Sequence, residues 1–149
     1  MASPVHMRQR AKAEWRCVSL TLVGRDLNPD NVSNTLRIRP DDSARRGESF
    51  GAKRKTKFGL WSLDGRPSSG RIHTQMKNLL QRIEPAGKEL RRMIDAGDVD
   101  QAYMRISFQP SSGIAVAERV LPAELVAGVT SLGIDIVISV NMPQYFEAL

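Results

Sequence analysis

Cysteine is nearly missing from this chain of 149 residues: Cys17 stands alone. A single thiol excludes an internal disulfide and fits a reducing compartment. Histidine is almost as scarce. His6 and His73, even joined by Cys17, are too few to build a zinc site from Cys and His ligands, and no metal or other cofactor is expected. The glycines form neither G-x-x-x-x-G-K-[ST] nor G-x-G-x-x-G, so no phosphate-cradling loop is encoded. No apolar run is long enough to cross a bilayer. The opening MASPVHMRQRAKAEWR has no apolar segment of signal-peptide length. A soluble, cytoplasmic protein without a membrane partner is the expectation.

What is present is ordinary in amount and uneven in placement. Apolar content of 41% and charged content of 26% suit one globular domain, and the length allows a sizeable core. The formal net charge of +6 is local. Residues 1–16 hold four basic side chains against one acid, and residues 37–57 hold eight against three. Residues 17–36 hold one against two, and residues 58–149 hold nine against ten. A local basic patch suits a polyanion or an acidic protein surface. The densest part is RRGESFGAKRKTKFGLW, Arg45 to Trp61.

Periodicity places the elements. WRCVSLTLVG alternates Val18, Leu20 and Leu22 with Ser19 and Thr21 and predicts a strand over 15–24. LNPDNVSNTL predicts a short helix, with Asn28 as cap, Pro29 in the first turn and Leu27 stapled to Val32. RPDD is expected to be a turn, with Pro40 ending the helix. A structureless run from Arg37 to Lys55 is improbable in a compact domain. A hairpin is the expected repair: a strand near 48–50, a turn near 51–53 and a strand from Lys55 onward. In TKFGLWSL, Phe58, Leu60, Trp61 and Leu63 predict a half-buried strand with a bulge at Gly59. SGRIHTQMKNLLQRI carries Ile72, Met76, Leu79, Leu80 and Ile83 at helical spacing, with Ser69 as the expected cap. PAGKELRRMIDAG predicts a second helix closed by Gly97. QAYMRISFQ reads as a strand, LPAELVAGVTSLG as a helix with Leu125, Val126, Val129 and Leu132 inward, and IDIVISV as a final strand. Together these predict an α+β fold: a ferredoxin-like βαββαβ core with an additional αβ extension, its sheet mainly antiparallel with helices on one face. Residues 1–13 are expected to be a flexible basic arm and 14–149 a single domain.

Four stretches in this order carry a resemblance: SLTLVGRDLNPDNVSNTLRIRPDDSARRGES, GLWSLDG, IHTQMKNLLQRIEP and LPAELVAGVTSLGIDIVISV. Over roughly residues 16–141 the chain resembles a bacterial family catalogued as domain of unknown function 4279. The resemblance implies a small single α+β domain of bacterial and phage genomes, with no assigned activity, cofactor or catalytic residue. In that setting an immunity, antidefence or accessory role is the implied context. The chain departs from the family in its extended basic N-terminus and unusually basic hairpin.

Candidate chemistry is thin. His73 invites acid/base work, with Asp64, Ser68 and Ser69 nearby in sequence. Turn and cap roles explain those serines better, and a structural histidine is favoured over a catalytic one. Asp95, Asp98 and Asp100 in DAGDVD lack the spacing of a calcium loop and read as a solvated turn. Cys17 is expected to be a buried, inert thiol. Trp61 and Phe58 are expected in the core, although Trp61 beside a basic run invites base stacking and, with His73, marks a conceivable pocket. Arg45, Arg46, Lys53, Arg54, Lys55 and Lys57 are the partner-binding candidates. On a hairpin, Lys53, Lys55 and Lys57 point one way and Arg54 the other. Lysines that protect a sheet edge are the simpler explanation. The leading expectation is a non-enzymatic regulatory domain with a protein partner. Second comes a basic protein that contacts RNA or DNA through residues 45–57, and third a small enzyme using His73.

Overall fold

The structure, a computed structural model, describes residues 15–50, 54–65, 71–109 and 120–140, with the side chains of Trp15, Ser49, Phe50 and Arg54 left aside. The predicted arm and the hairpin turn at 51–53 lie outside the described residues.

In chain order the elements are β1 (Trp15–Gly24), α1 (Pro29–Leu36), β2 (Asp42–Ala44), β3 (Ser49–Phe50), β4 (Arg54–Lys55), β5 (Gly59–Asp64), α2 (Ile72–Ile83), a 3₁₀ turn (Glu84–Ala86), α3 (Gly87–Asp95), β6 (Gln101–Gln109), α4 (Ala123–Ser131) and β7 (Asp135–Val140). Five strands form one sheet in the order β2-β5-β1-β6-β7, and β3 pairs with β4 separately. Within the five-stranded sheet β6 and β7 run parallel and every other neighbour pair antiparallel. The fold is therefore α+β with a mixed sheet.

Alternation decides the faces. Val18, Leu20 and Leu22 of β1, Trp61 and Leu63 of β5, and Met104 and Ile106 of β6 are buried. They join Val32 and Leu36 of α1, Ile72, Met76, Leu79 and Ile83 of α2, Leu90 and Met93 of α3 and Val129 of α4 in one core cluster. The helices thus pack on the same face of the sheet. Ser19, Ser62, Tyr103 and Arg105 belong to the other, polar face.

One polar group sits inside this core. Gln75 of α2 is 1% exposed, and its Oε1 accepts the Val18 N–H at 2.9 Å. The reason lies in the register. Pairing of β1 with β5 begins at Ser19 opposite Asp64, and Gly65 N–H reaches the Val18 carbonyl at 2.8 Å. β5 therefore supplies no partner for the Val18 N–H, and the helix side chain does.

Several expectations need correction. The RPDD turn ends in a strand: Asp42 opens β2, which pairs with β5 and buries Ala44. Asp and Ser are poor strand residues, but the outer edge of β5 overrides their propensity. Asp41 does not bond locally. Its Oδ2 accepts the Asp64 N–H at 2.7 Å and pairs with Arg82 at 3.3 Å. Helix α1 stops before Pro40 because Arg37 turns left-handed, with φ 57°. The N-cap of α2 is Arg71, not Ser69, and makes no side-chain cap bond. Gly59 is required less for a bulge than for approach: a Cβ there would collide with the Leu27 carbonyl oxygen. Cys17 is half-buried, and its thiol donates to Asp64 Oδ1 at 3.4 Å. On α4 only Val129 is buried, while Leu125, Val126 and Leu132 are half-buried. Phe58 is not in the core at all, being 49% exposed.

Candidate functional site

The basic stretch resolves into two halves with different fates. Arg45 and Arg46 follow β2 and fold back onto the acids of the β1–α1 region. Arg45 Nη2 meets Asp30 Oδ2 at 2.5 Å, and Arg46 Nη1 lies 3.5 Å from Asp26 Oδ1. Glu48 accepts the Arg45 N–H at 3.0 Å. Each guanidinium keeps unused donors, but a phosphate would meet neighbouring carboxylates as well.

The second half is held outward by Thr56. Its N–H bonds to the Glu48 carbonyl and its carbonyl accepts Gly47 N–H, both at 2.9 Å. Its hydroxyl donates to the Arg45 carbonyl at 2.9 Å. Gly47, at φ 88°, makes the turn that allows this. Lys55 and Lys57, on either side of Thr56, are both exposed. Lys53 and the Arg54 side chain lie outside the described residues. Phe58 follows directly and is 49% exposed.

Trp61 is no part of a pocket. It is fully buried, and its Nε1–H donates to Ser33 Oγ at 3.0 Å, tying β5 to α1. The indole is thus unable to stack on a ligand. His73 is exposed on the first turn of α2. Of its sequence neighbours, Asp64 engages Cys17 and Asp41, and Ser68 and Ser69 lie outside the described residues. Among the described residues no three His, Cys, Asp or Glu side chains converge on a metal-sized site.

Reading the sequence missed a cleft of about 450 Å³ where the β1–α1 loop meets the end of α3. Leu27, Val32 and Met93 give it apolar contact surface, and Asp26, Asn31 and Asp98 give it polar groups. The DAGDVD segment belongs here rather than to a free turn: Asp100 Oδ2 accepts the Arg25 N–H at 2.7 Å. The signal was the clustering of Asp and Asn in GRDLNPDN at the end of a strand. Phe58 was missed for a different reason. Counting by two from Trp61 and Leu63 puts Gly59 inward and Phe58 outward.

The sequence profile of the family described as Domain of unknown function (DUF4279) matches residues 13–143, most of the chain. The chain belongs to that family. Neither the curated proteins nor the solved structures gave a match. The DUF4279 match spans β1 to β7, so the basic segment and the cleft both lie within the family domain. No helix among the described residues of this DUF4279 chain is long and apolar enough to cross a membrane.

Proposed function

We propose that the chain is a non-enzymatic binding domain with a regulatory or accessory role, and that its partner is a protein. The observation that supports this reading is the outer strand of the sheet. Among the described strands β7 pairs on one side only, with β6. Its Ile138 and Val140 side chains are 57% and 46% exposed, although the alternation of IDIVISV leads one to expect both in the core. Solvated edges usually carry Lys, Pro or an inward charge that discourages pairing. β7 reads DIVISV, with Asp135 at its start as the sole charge. An extended partner segment adds to such an edge through main-chain hydrogen bonds, with Ile138 and Val140 as the apolar contact. The same strand order supports a ferredoxin-like reading of the fold. β1, α1, β2, β5, α2 and β6 follow a βαββαβ succession in sheet order β2-β5-β1-β6, with α4 and β7 as the αβ extension.

The test is a photo-crosslinking residue placed at Ile138. A protein adduct of defined mass is expected in cells, and Val140→Asp should abolish it. Equal crosslinking from the exposed control position Lys88 would refute the assignment of this edge.

A second reading, a basic accessory protein that contacts RNA or DNA, draws on Lys55 and Lys57. They are the exposed cations of the basic segment that no described carboxylate neutralises. Retention on heparin that disappears on changing Lys53, Arg54 and Lys55 to Glu would support it, and unchanged retention would remove it.

A further inference from the structure

We propose that the cleft between the end of α1 and β2 binds a small phosphorylated molecule, with Arg37 and Arg39 holding its phosphate. β2 and β7 are the two ends of the five-stranded sheet, so this site is separate from the partner edge proposed above. The first observation concerns the backbone. Among the described residues Arg37 alone has a positive φ, 57°, without being glycine. Its N–H and that of Ile38 both close α1 on the Ser33 carbonyl, a cap whose left-handed residue is ordinarily glycine. A residue with a Cβ is disfavoured in that conformation. No ion pair among the described residues explains an arginine there, and the side chain is exposed. A residue that opposes its own backbone conformation, with no contact to offset the cost, points to a use for the side chain.

The second observation is what surrounds Arg37. It shares a cleft of about 390 Å³ with Arg39, Ser33 and Ser43, a size that suits a small ligand. Arg39 is exposed and, like Arg37, pairs with no described carboxylate. The nearby acids are engaged or turned away. Asp30 also lines the cleft but is held by Arg45. Asp41 accepts the Asp64 N–H and pairs with Arg82. Asp42 stands opposite Ser62 on the polar face of the sheet, whereas Ser43 stands opposite Trp61 on the helix face. The Ser33 oxygen accepts the Trp61 N–H, which leaves its proton as the part it offers a ligand. Two guanidinium groups and two hydroxyls thus line one hollow. A phosphate monoester, with close to two negative charges and three acceptor oxygens, matches that donor set. A carboxylate brings one charge and two oxygens and leaves donors unmatched. Ile38 and Pro40, both half-buried in the same cleft, give the rest of the molecule an apolar contact.

The experiment follows the amide resonances of the full chain during titration with phenyl phosphate, benzoate or inorganic phosphate at constant ionic strength. Phenyl phosphate is expected to shift the amides of Ser33, Arg37, Arg39 and Ser43 saturably, and to bind more tightly than the other two. Arg39→Gln should weaken it by roughly 10- to 150-fold, the range of one hydrogen bond to a charged group. Arg37→Gly should weaken it to a similar degree and at the same time raise the melting temperature, because glycine accepts the left-handed backbone. Those opposite effects separate a ligand-binding arginine from a structural one. A lower melting temperature for Arg37→Gly would show that the arginine supports the fold and would overturn the inference. Binding that survives both substitutions overturns it too, as do shifts that spread evenly to Lys55, Lys57 and the other exposed cations. Benzoate bound as tightly as phenyl phosphate refutes the phosphate assignment. Inorganic phosphate bound as tightly refutes the organic body assigned to Ile38 and Pro40.

Discussion

Replacing Gln75 by Leu tests the central claim about how the sheet and α2 are joined. The side chain is 1% exposed and the amide it serves belongs to Val18, a residue with no exposure at all. Leu fills most of the space but offers no acceptor. The Val18 N–H then stays buried and unpaired, which costs about 1–3 kcal/mol. The extra apolar surface of Leu offsets part of this, so a net loss of about 2 kcal/mol is expected. For a chain of this size that lowers the melting temperature by roughly 4–8 °C. In urea it lowers the midpoint by roughly 1 M at an unchanged slope of about 2 kcal/mol per M. Hydrogen exchange gives the residue-level signature: the Val18 amide should lose protection more than those of Leu20 and Leu22, which lie in the middle of the ladder. A variant as stable as the parent to within about 0.5 kcal/mol, with Val18 protection unchanged, would refute the reasoning.

Other perturbations should differ sharply in size. Gly59→Ala drives a Cβ into the Leu27 carbonyl and should cost at least about 1–3 kcal/mol by calorimetry, as overpacking does. Ser33→Ala orphans the Trp61 indole N–H and should cost about 1–3 kcal/mol, followed by denaturation with tryptophan emission as the probe. A double-mutant cycle on Arg45 and Asp30 should return at most about 1 kcal/mol, because both side chains are more than half exposed. His73→Ala should shift stability by no more than about 0.5 kcal/mol, and a larger loss would show that the ring is tied to the fold.

How much of this was legible in the sequence depended on whether a residue's fate was local. The helix caps and periods of α1, α2 and α3 answer to neighbours within a turn or two. Asn28 and Pro29 therefore announced α1, and Leu90 and Met93 announced the inner side of α3. β2 was hidden because Asp42–Ala44 becomes a strand only when the edge of β5 is beside it. Gln75 was hidden for the same reason, since its partner lies 57 residues away. The basic segment was visible as composition, but its division was not. Which arginines are neutralised depends on Asp26 and Asp30, which come earlier in the chain and meet them only after folding. Phe58 was within reach, and counting alternation outward from Trp61 would have exposed it.

The place of β1 at the centre of the sheet has a consequence for synthesis on the ribosome. It is the first described strand to be made, yet its partners are residues 59–64 on one side and 101–109 on the other. At about 5–20 residues per second, β6 follows β1 by roughly 4–17 s. Throughout that interval β1 has an open edge, and until Gln75 appears its Val18 N–H lacks the side-chain acceptor it has in the fold. Newly made chains on neighbouring ribosomes meet with this strand still unpaired. Slowing translation between residues 64 and 101 should therefore raise aggregation of this protein, and speeding it should raise the yield of folded chains.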